Sequence, residues 1–466
     1  MRHIGSLLLA LASVPLAAAQ PHYPVDWVKL EPEILDRFST LLKIDTSNPP
    51  GNETRAAEAI QKMLEGEGIP SKLFALDPAR ANLVARIKGN GSKRPILLLG
   101  HTDVVGVQRE HWSVDPFGAV RKNGLIYGRG ANDDRPHVLA GMMVLMLLNR
   151  MHVKLDRDVI FLAEAGEEGT TSAGIDYMVQ QHWPEIDAEY ALAEGGSAVE
   201  SNGRVRDVLV TVTEKVPRGI RLVARGPSGH ASRPIQQNAV THLAAAVAKA
   251  GAWQIPMRLT PTTRAYFERL AEISPPSEAV RYRGILRPAR AAEVDRFFRD
   301  HEPGHYSILR TSVVPTILKA GFRSNVIPSE GEAYLDVRAL PDEDMTQFLE
   351  ELRRVISDPA IEIVPAQSSE RPAAPASRLD TEMFRALERA GSRLYNAPTI
   401  PSMLTGATDS AQLRAHGVQA YGIGPIGPAG EGPLGGAHAD DEYISIRGLD
   451  KFVEYLWDVV VDVAAQ

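Results

Sequence analysis

Five residues with metal-binding side chains follow short apolar runs or tight turns at widely separated points of this chain. They comprise two histidines and three carboxylates: His101, Asp133, Glu168, Glu194 and His438. Nitrogen and oxygen ligands in this number suit two divalent cations that share one carboxylate and keep positions open for water. Because the chain has no cysteine, thiolate ligands are excluded. The sequence therefore predicts a site for two divalent metal ions.

Asp133 is the expected bridge between the two ions. Its short side chain follows the turn Gly128-Arg129-Gly130, where the backbone can fix the direction of both carboxylate oxygens. Asp134 is adjacent and remains the alternative bridge.

Two further acidic residues lie next to the predicted ligands and indicate hydrolytic chemistry. Glu167 adjoins Glu168, so one glutamate can bind metal while the other takes a proton from a metal-activated water as general base. Asp103 lies two residues after His101 on the same side of a strand, where it can hold a histidine ligand in one tautomer. Glu167 and Asp103 are therefore candidates for catalytic roles.

The elements that must position these residues alternate between helices and short apolar strands. The runs ending at His101, at Glu164 and at Ala193 are typical of buried strands, and each is followed by acidic or histidine residues. In open α/β sheets, ligand sites form at the carboxyl ends of such strands. We predict an α/β catalytic domain whose site lies at this edge.

The pattern changes near residue 216 to a β-α-β-β-α-β order, which predicts an inserted ferredoxin-like α+β module. Residues 1–19 have a short basic start, an apolar centre and small residues before Gln20, as in a cleaved signal peptide. The expected divisions are a signal peptide at 1–19, the first part of the catalytic domain at 20–215, the inserted domain at 216–366 and the second catalytic part at 367–466.

Composition narrows the class of partner. Hydrophobic residues make up 44% of the chain, charged residues make up 23%, and the formal net charge is −7. These values are ordinary for a soluble enzyme, and the acidic balance disfavours nucleic acid or an anionic membrane as partner. With the signal peptide, they predict a secreted or periplasmic protein without a membrane partner after cleavage.

The ordered series of motifs resembles the zinc-dependent aminoacylase and carboxypeptidase G family, in the branch of carboxypeptidase S and secreted N-acyl amino acid hydrolases. The resemblance implies a dizinc exopeptidase-type catalytic domain with a mixed central sheet, and an inserted lid or dimerisation domain. It implies zinc, with cobalt or manganese as alternatives, and a small peptide or N-acyl amino acid substrate cleaved next to a free carboxylate. It also supports the roles given above to the metal ligands, Glu167 and Asp103.

The resemblance adds three residues that would contact substrate, all in the inserted domain. His230 in Gly-His-Ala-Ser looks like the family's histidine that reaches the active site of a neighbouring subunit, which implies a homodimer. Asn325 in Ser-Asn-Val-Ile-Pro is similar to a carbonyl-binding amide. Arg338 in Asp-Val-Arg is similar to an arginine that holds the substrate carboxylate, for which its forked guanidinium is suited.

The sequence departs from the family pattern at two places. Arg135-Pro136-His137 stands where the family usually has Lys-Gly, and Ala193 replaces an aspartate before Glu194. These changes leave open an alternative function, a non-catalytic metal-dependent binding protein on the same scaffold. The resemblance further implies a cis peptide bond between Asp133 and Asp134.

Overall fold

The computed structural model describes residues 23–366, 371–428 and 436–466. The predicted signal peptide at 1–19 lies outside the described residues, as does the predicted start of the second catalytic part at 367. Among the described helices, none combines the length and apolar character needed to span a membrane.

A ten-stranded mixed sheet forms the larger part of the fold, and this confirms the predicted α/β class. Its four central neighbours are parallel, so their carboxyl ends lie at one edge, as the sequence pattern predicted. In spatial order, the strands are Ser71–Ala75, Ala81–Ile87, Val159–Glu164, Ile96–His101, Tyr190–Ala193, Gln419–Gly422, Arg204–Glu214, Ser197–Ser201 and Ile426–Pro428, and Thr399–Leu404 pairs with Arg204–Glu214.

Helices pack on both faces of this sheet. Arg135–Arg150 is buried along almost its whole length, because its apolar residues surround the axis and contact both the sheet and other helices. The other helices of this part are Trp27–Leu42, Glu53–Glu65, Ile175–Gln181, Trp183–Ile186, Glu382–Tyr395, Ser410–Ala415 and Ile446–Ala464, with short 3-10 turns at Arg109–His111 and Thr171–Ala173. Two small sheets complete it. One pairs Ser47–Asn48 with Val104–Val105, and the other has Leu125–Tyr127 between Val120–Lys122 and Tyr443–Ser445.

A second, antiparallel sheet is built from residues between 216 and 366. The helices Ala239–Ala252 and Met345–Ile356 pack on it around a separate apolar core. The sheet contains Ser312–Ala320, Glu330–Ala339, Ile220–Arg225, Ile361–Pro365 and the short Val216–Pro217, and a two-stranded ribbon pairs Gly229–His230 with Val326–Ile327. The main strands of this sheet and the two helices packed on it follow the order β-α-β-β-α-β, but four further helices at 261–307 interrupt it before Ser312–Ala320. The inserted domain and its boundaries stay a prediction.

The Pro- and Arg-rich stretch at 275–304 is largely helical. Proline occupies the first turn of each helix, where its missing N–H costs nothing. Apolar side chains of these helices pack on one another and on Ile400 and Met403 of the main sheet. The helices are Pro261–Ile273, Pro276–Ile285, Pro288–His301 and Pro303–Ser307.

Lys215, which lies between the two sheets in the chain, leads to a prediction of how the unfolding free energy depends on pH. Its buried amine donates to Ser307 and Ser312, and burial followed by the charges of Arg338 and Arg310 lowers its pKa from 10.5 to about 7. Between these pH values, the unfolded chain binds a proton that the folded chain does not, so this group makes stability rise with pH. Lys215→Met should therefore reduce the increase in unfolding free energy between pH 7 and pH 10, measured by urea denaturation.

Lys62→Met, at an exposed position on the helix Glu53–Glu65, provides the matched control. This substitution should leave the pH dependence of unfolding unchanged. An unaltered slope for Lys215→Met would contradict the assignment of that titration to Lys215.

Candidate metal centre

Two groups of ligand-type side chains meet at the carboxyl edge of the central strands. His101, Asp133 and Glu194 form one group, and Asp133, Glu168 and His438 form the other; within each group the ligand atoms lie within 4.8 Å of one another. The structure thus brings together all five residues that the sequence singled out as ligands. Asp133 is the member that both groups share.

The two oxygens of Asp133 face different groups. Oδ1 lies 2.9 Å from His101 Nε2, whereas Oδ2 lies 3.3 Å from His438 Nε2. Asp134 is buried and points elsewhere: its Oδ2 accepts the backbone N–H of His101 at 3.2 Å, and its Oδ1 contacts His137. Of the two aspartates, Asp133 therefore has the geometry of a bridge. The peptide bond between them is cis, as predicted.

Strand ends and sharp turns position these residues. His101 ends its strand and Glu194 directly follows Tyr190–Ala193, so the two side chains come from neighbouring parallel strands. Gly166 has φ +82°, and a Cβ there would lie 2.6 Å from the Thr170 carbonyl oxygen. Only glycine fits this turn without strain, and the turn presents Glu167 and Glu168 at the strand edge.

Asp103 organises the loop that carries the two glutamates. Its fully buried carboxylate accepts the backbone N–H groups of Glu167 and Glu168 at 3.1 and 3.0 Å and the Asn48 amide at 2.8 Å. His101 Nδ1 is 3.5 Å from the Asp103 carboxylate but 3.1 Å from the Asp103 carbonyl oxygen. Asp103 thus contacts the histidine mainly through its backbone, and its side chain fixes the glutamate turn.

Glu167 lies outside both ligand groups and contacts an arginine that the sequence reasoning missed. Arg371 Nη2 donates to Glu167 Oε1 at 2.7 Å, and its Nη1 donates to Asp409 at 2.8 Å. Burial and the charges of Glu194 and Asp409 raise the pKa of Glu167, and Arg371 opposes them. Arg371 lies 204 residues after Glu167 in the sequence, and the residues around it form no motif that indicates a role at this site.

Glu442 is a second residue beside the ligand groups for which the sequence analysis predicted no role. Its fully buried carboxylate accepts the backbone N–H groups of Gly130, Asn132 and Asp133 at 3.1, 2.6 and 3.0 Å, and Arg129 Nη1 donates to it at 2.7 Å. One side chain therefore holds the turn that aims Asp133 at both groups. In the sequence, the one indication of this role is that Glu442 lies four residues after the predicted ligand His438.

Glu442→Gln is expected to weaken both folding and metal binding. The amide cannot accept all four hydrogen bonds and leaves the buried Arg129 without its counter-charge, which typically costs about 3 to 5 kcal/mol of unfolding free energy. Loss of the support behind Asp133 should lower metal affinity about ten- to hundredfold. Urea denaturation and metal titration measure these effects. The exposed Glu58→Gln is the control, and unchanged metal affinity in Glu442→Gln would contradict the positioning role.

The charges of the cluster fit divalent cations. Burial, followed by the nearby Asp133 carboxylate, raises the pKa of Glu194 to about 8. Buried carboxylates that repel one another in this way are stabilised by a bound cation, which favours their ionised forms. The described donor atoms are imidazole nitrogens and carboxylate oxygens, which suit zinc, cobalt or manganese.

The altered Arg135-Pro136-His137 segment starts the helix that follows the Asp133 turn. Arg135 is buried and donates to Thr46 Oγ1 at 2.7 Å, while His137 contacts Asp134 and donates to the Ile423 carbonyl at 3.0 Å. These contacts anchor the far side of the turn. The departure from Lys-Gly therefore leaves the ligand groups intact.

Comparison with known proteins identifies the family. Residues 97–462 match the sequence profile of Peptidase family M20/M25/M40. This chain belongs to the M20 family.

Two curated relatives of the M20 chain are amide-forming or amide-cleaving enzymes. Human N-fatty-acyl-amino acid synthase/hydrolase PM20D1 is 27% identical over 379 residues, covering 79% of this chain and 74% of the relative. Aminoacylase-1B of Rattus norvegicus is 26% identical over 397 residues, covering 84% and 86%. Together with family membership, these relatives support a metallohydrolase of amide bonds rather than a non-catalytic binding protein.

Solved structures share the M20 fold. A metallo-carboxypeptidase from Sulfolobus solfataricus has a TM-score of 0.71 at 19% identity, covering 92% of this chain and 99% of that one. A dinuclear metal-binding peptidase from Bacillus subtilis has a TM-score of 0.58 at 15% identity, covering 94% and 99%. The resemblance to this fold, expected from the motifs, is confirmed.

The three predicted substrate contacts lie on or beside the second sheet. His230 and Asn325 are close neighbours, since His230 pairs with Val326 across the ribbon. Arg338 Nε donates to both Asp336 oxygens at 3.0 and 3.1 Å. Within the described residues, these side chains form no hydrogen bond or ion pair with the two ligand groups. Their roles toward substrate therefore stay predictions.

Proposed function

We propose that this enzyme hydrolyses N-acyl amino acids and related small peptides next to a free carboxylate, with zinc in the two ligand groups and Glu167 as general base. The observation that carries the proposal is the separation of the adjacent glutamates. Glu168 lies 2.9 Å from His438 in a ligand group, whereas Glu167 binds Arg371 outside both groups. A carboxylate held beside a metal centre but off it suits proton transfer.

Two divalent ions, when bound, would polarise the scissile carbonyl and lower the pKa of the attacking water. Glu167 would accept the proton from that water and later deliver it to the leaving nitrogen. Asp103 would hold the Glu167 backbone in place during both transfers. Arg371, fixed by Asp409, would keep the Glu167 carboxylate oriented and stabilise its ionised form.

The remaining contacts would orient the substrate. His230 Nδ1 accepts the Ser232 backbone N–H at 3.1 Å, which places the ring proton on Nε2, where it can donate to a developing oxyanion. Asn325 would bind a carbonyl, and Arg338 would bind the substrate carboxylate.

We also propose a homodimer in which His230 acts at the partner's site. The strand Ser312–Ala320 supports the homodimer. Among the described strands it pairs only with Glu330–Ala339, so it forms an edge of the second sheet, and its side chains Val314 and Leu318 are exposed. Such an edge favours association with a second copy. Leu318→Lys, with exposed Leu76→Lys as the control, should lower the mass in solution together with activity. A fully active monomer would overturn the role of His230 across subunits.

A substrate panel tests the proposed function. The metal-free protein, reconstituted with zinc, cobalt or manganese, is incubated with N-acyl amino acids, their carboxyl amides and dipeptides. We expect chelator-sensitive hydrolysis that requires the free carboxylate. Equal turnover of the carboxyl amides would overturn the recognition of a free carboxylate, and no turnover at all would overturn the function.

Export of the protein is part of the proposal. The apolar segment and small residues near Ala19 support cleavage there. Sequencing the N-terminus of protein recovered outside the cytoplasm tests this, and an intact Met1 would contradict it.

A further inference from the structure

A second cleft adjoins the metal centre and is not used by the chemistry described above. It has a volume of about 640 Å³ and lies between the main sheet and the helices of residues 261–307. Its size is in the range of small-molecule sites. On the sheet side, it is lined by Leu209, Met403 and Leu404, and on the helix side by Tyr266, Leu270 and Ile308.

The cleft shares two lining residues with the space in front of the metal ligands. Gly195 and Ser197 line both this cleft and the 660 Å³ cleft that contains Asp133 and Glu194. Gly195 directly follows Glu194, and Thr211 Oγ1 donates to its carbonyl at 2.5 Å, which fixes the junction. A substrate whose carbonyl lies at the metal centre can therefore extend past Gly195 into the second cleft.

The charged side chains of Arg206 and Glu302 in the wall of the cleft already have partners of opposite charge. Tyr266 contacts His305 Nε2 at 2.9 Å, and His305 Nδ1 contacts Glu302 at 2.6 Å. Glu302 also pairs with Arg281 at 2.6 Å, and Arg206 pairs with Asp207. A charged ligand would have to break one of these pairs. An uncharged apolar group would instead cover the aliphatic and aromatic surface without disturbing them.

From this geometry, we propose that the cleft binds a long or bulky apolar acyl chain of the substrate, an inference that rests on the proposed amide hydrolysis. The amino-acid half of the substrate carries a carboxylate, for which the paired cations of this wall are poorly suited. The acyl half has no charge and matches the apolar lining. The helices of residues 261–307 would thereby set the acyl specificity.

The test is a series of N-acyl derivatives of one accepted amino acid, from acetyl to dodecanoyl. In the unmodified enzyme, kcat/KM should rise about three- to fourfold for each added methylene until the cleft is filled. Leu209→Trp and Leu404→Trp, which fill the cleft from two positions, should flatten this rise while the acetyl derivative is still hydrolysed. Leu76→Trp, at an exposed position outside the cleft, is the matched control and should keep the rise.

A binding measurement separates this proposal from the proposed function. Calorimetric titration of the uncharged decanamide into the metal-free protein should show binding with a negative heat-capacity change, weakened by Leu209→Trp and not by Leu76→Trp. An enzyme that hydrolyses acetyl derivatives without dependence on chain length would overturn the acyl cleft alone. The acyl cleft would also be overturned if both cleft variants kept the full rise, or if decanamide bound them as it binds the unmodified protein. A protein without amide hydrolysis that still binds decanamide in the cleft would overturn the acyl-substrate role together with the proposed function.

Discussion

Glu167→Gln is expected to lower kcat by about 10²- to 10⁴-fold, the usual contribution of a general base. Glutamine has nearly the same shape but cannot accept the proton. Because Glu167 belongs to neither ligand group, two metal ions per chain should remain bound. Steady-state kinetics and metal analysis of the same preparation measure the two effects.

The adjacent Glu168→Gln provides the matched comparison. Glu168 lies 2.9 Å from His438 within a ligand group, so its substitution should lower metal content as well as activity. The two variants differ by one position and carry the same chemical change. If Glu167→Gln retained full activity with full metal content, the proposed mechanism would be wrong.

Asp133→Ala is expected to have the broadest effect, a fall from two bound metal ions per chain to none and loss of detectable hydrolysis. Its two oxygens face His101 at 2.9 Å and His438 at 3.3 Å, so both groups lose a ligand at once. His101→Ala and His438→Ala should each weaken mainly one ion. Metal titration followed by mass spectrometry of the native protein distinguishes these patterns.

Asp134→Asn is the control for the Asp133 variant. Asp134 contacts the His101 backbone and His137, and it lies in neither ligand group. Its substitution should therefore retain two bound ions, although the turn could lose stability. If Asp134→Asn removed both ions while Asp133→Ala kept them, the bridge would have to be reassigned.

Most of the predicted residues that the structure brings together have a local signature in the sequence. His101 and Glu194 follow apolar strands, and Glu167 and Glu168 follow a strand and a glycine turn. Such signals depend on neighbours a few residues away, because strand burial and turn geometry are set locally. The ligand types and the mixed α/β sheet could therefore be predicted from the chain itself.

Tertiary structure decided which neighbours these residues meet. The choice between Asp133 and Asp134 depends on where each side chain points after the turn, which the spacing of two adjacent aspartates cannot show. Arg371 reaches Glu167 across 204 residues and carries no motif, and Glu442 reaches Asp133 across 309 residues, although it lies only four residues after His438. The helices of residues 261–307 bury their apolar side chains against one another and against Ile400 and Met403 of the main sheet, which are distant in the sequence. Long-range contacts of this kind depend on the complete fold, so the sequence by itself predicted the candidate ligands, whereas only the packing of the complete fold placed beside them the groups that orient them.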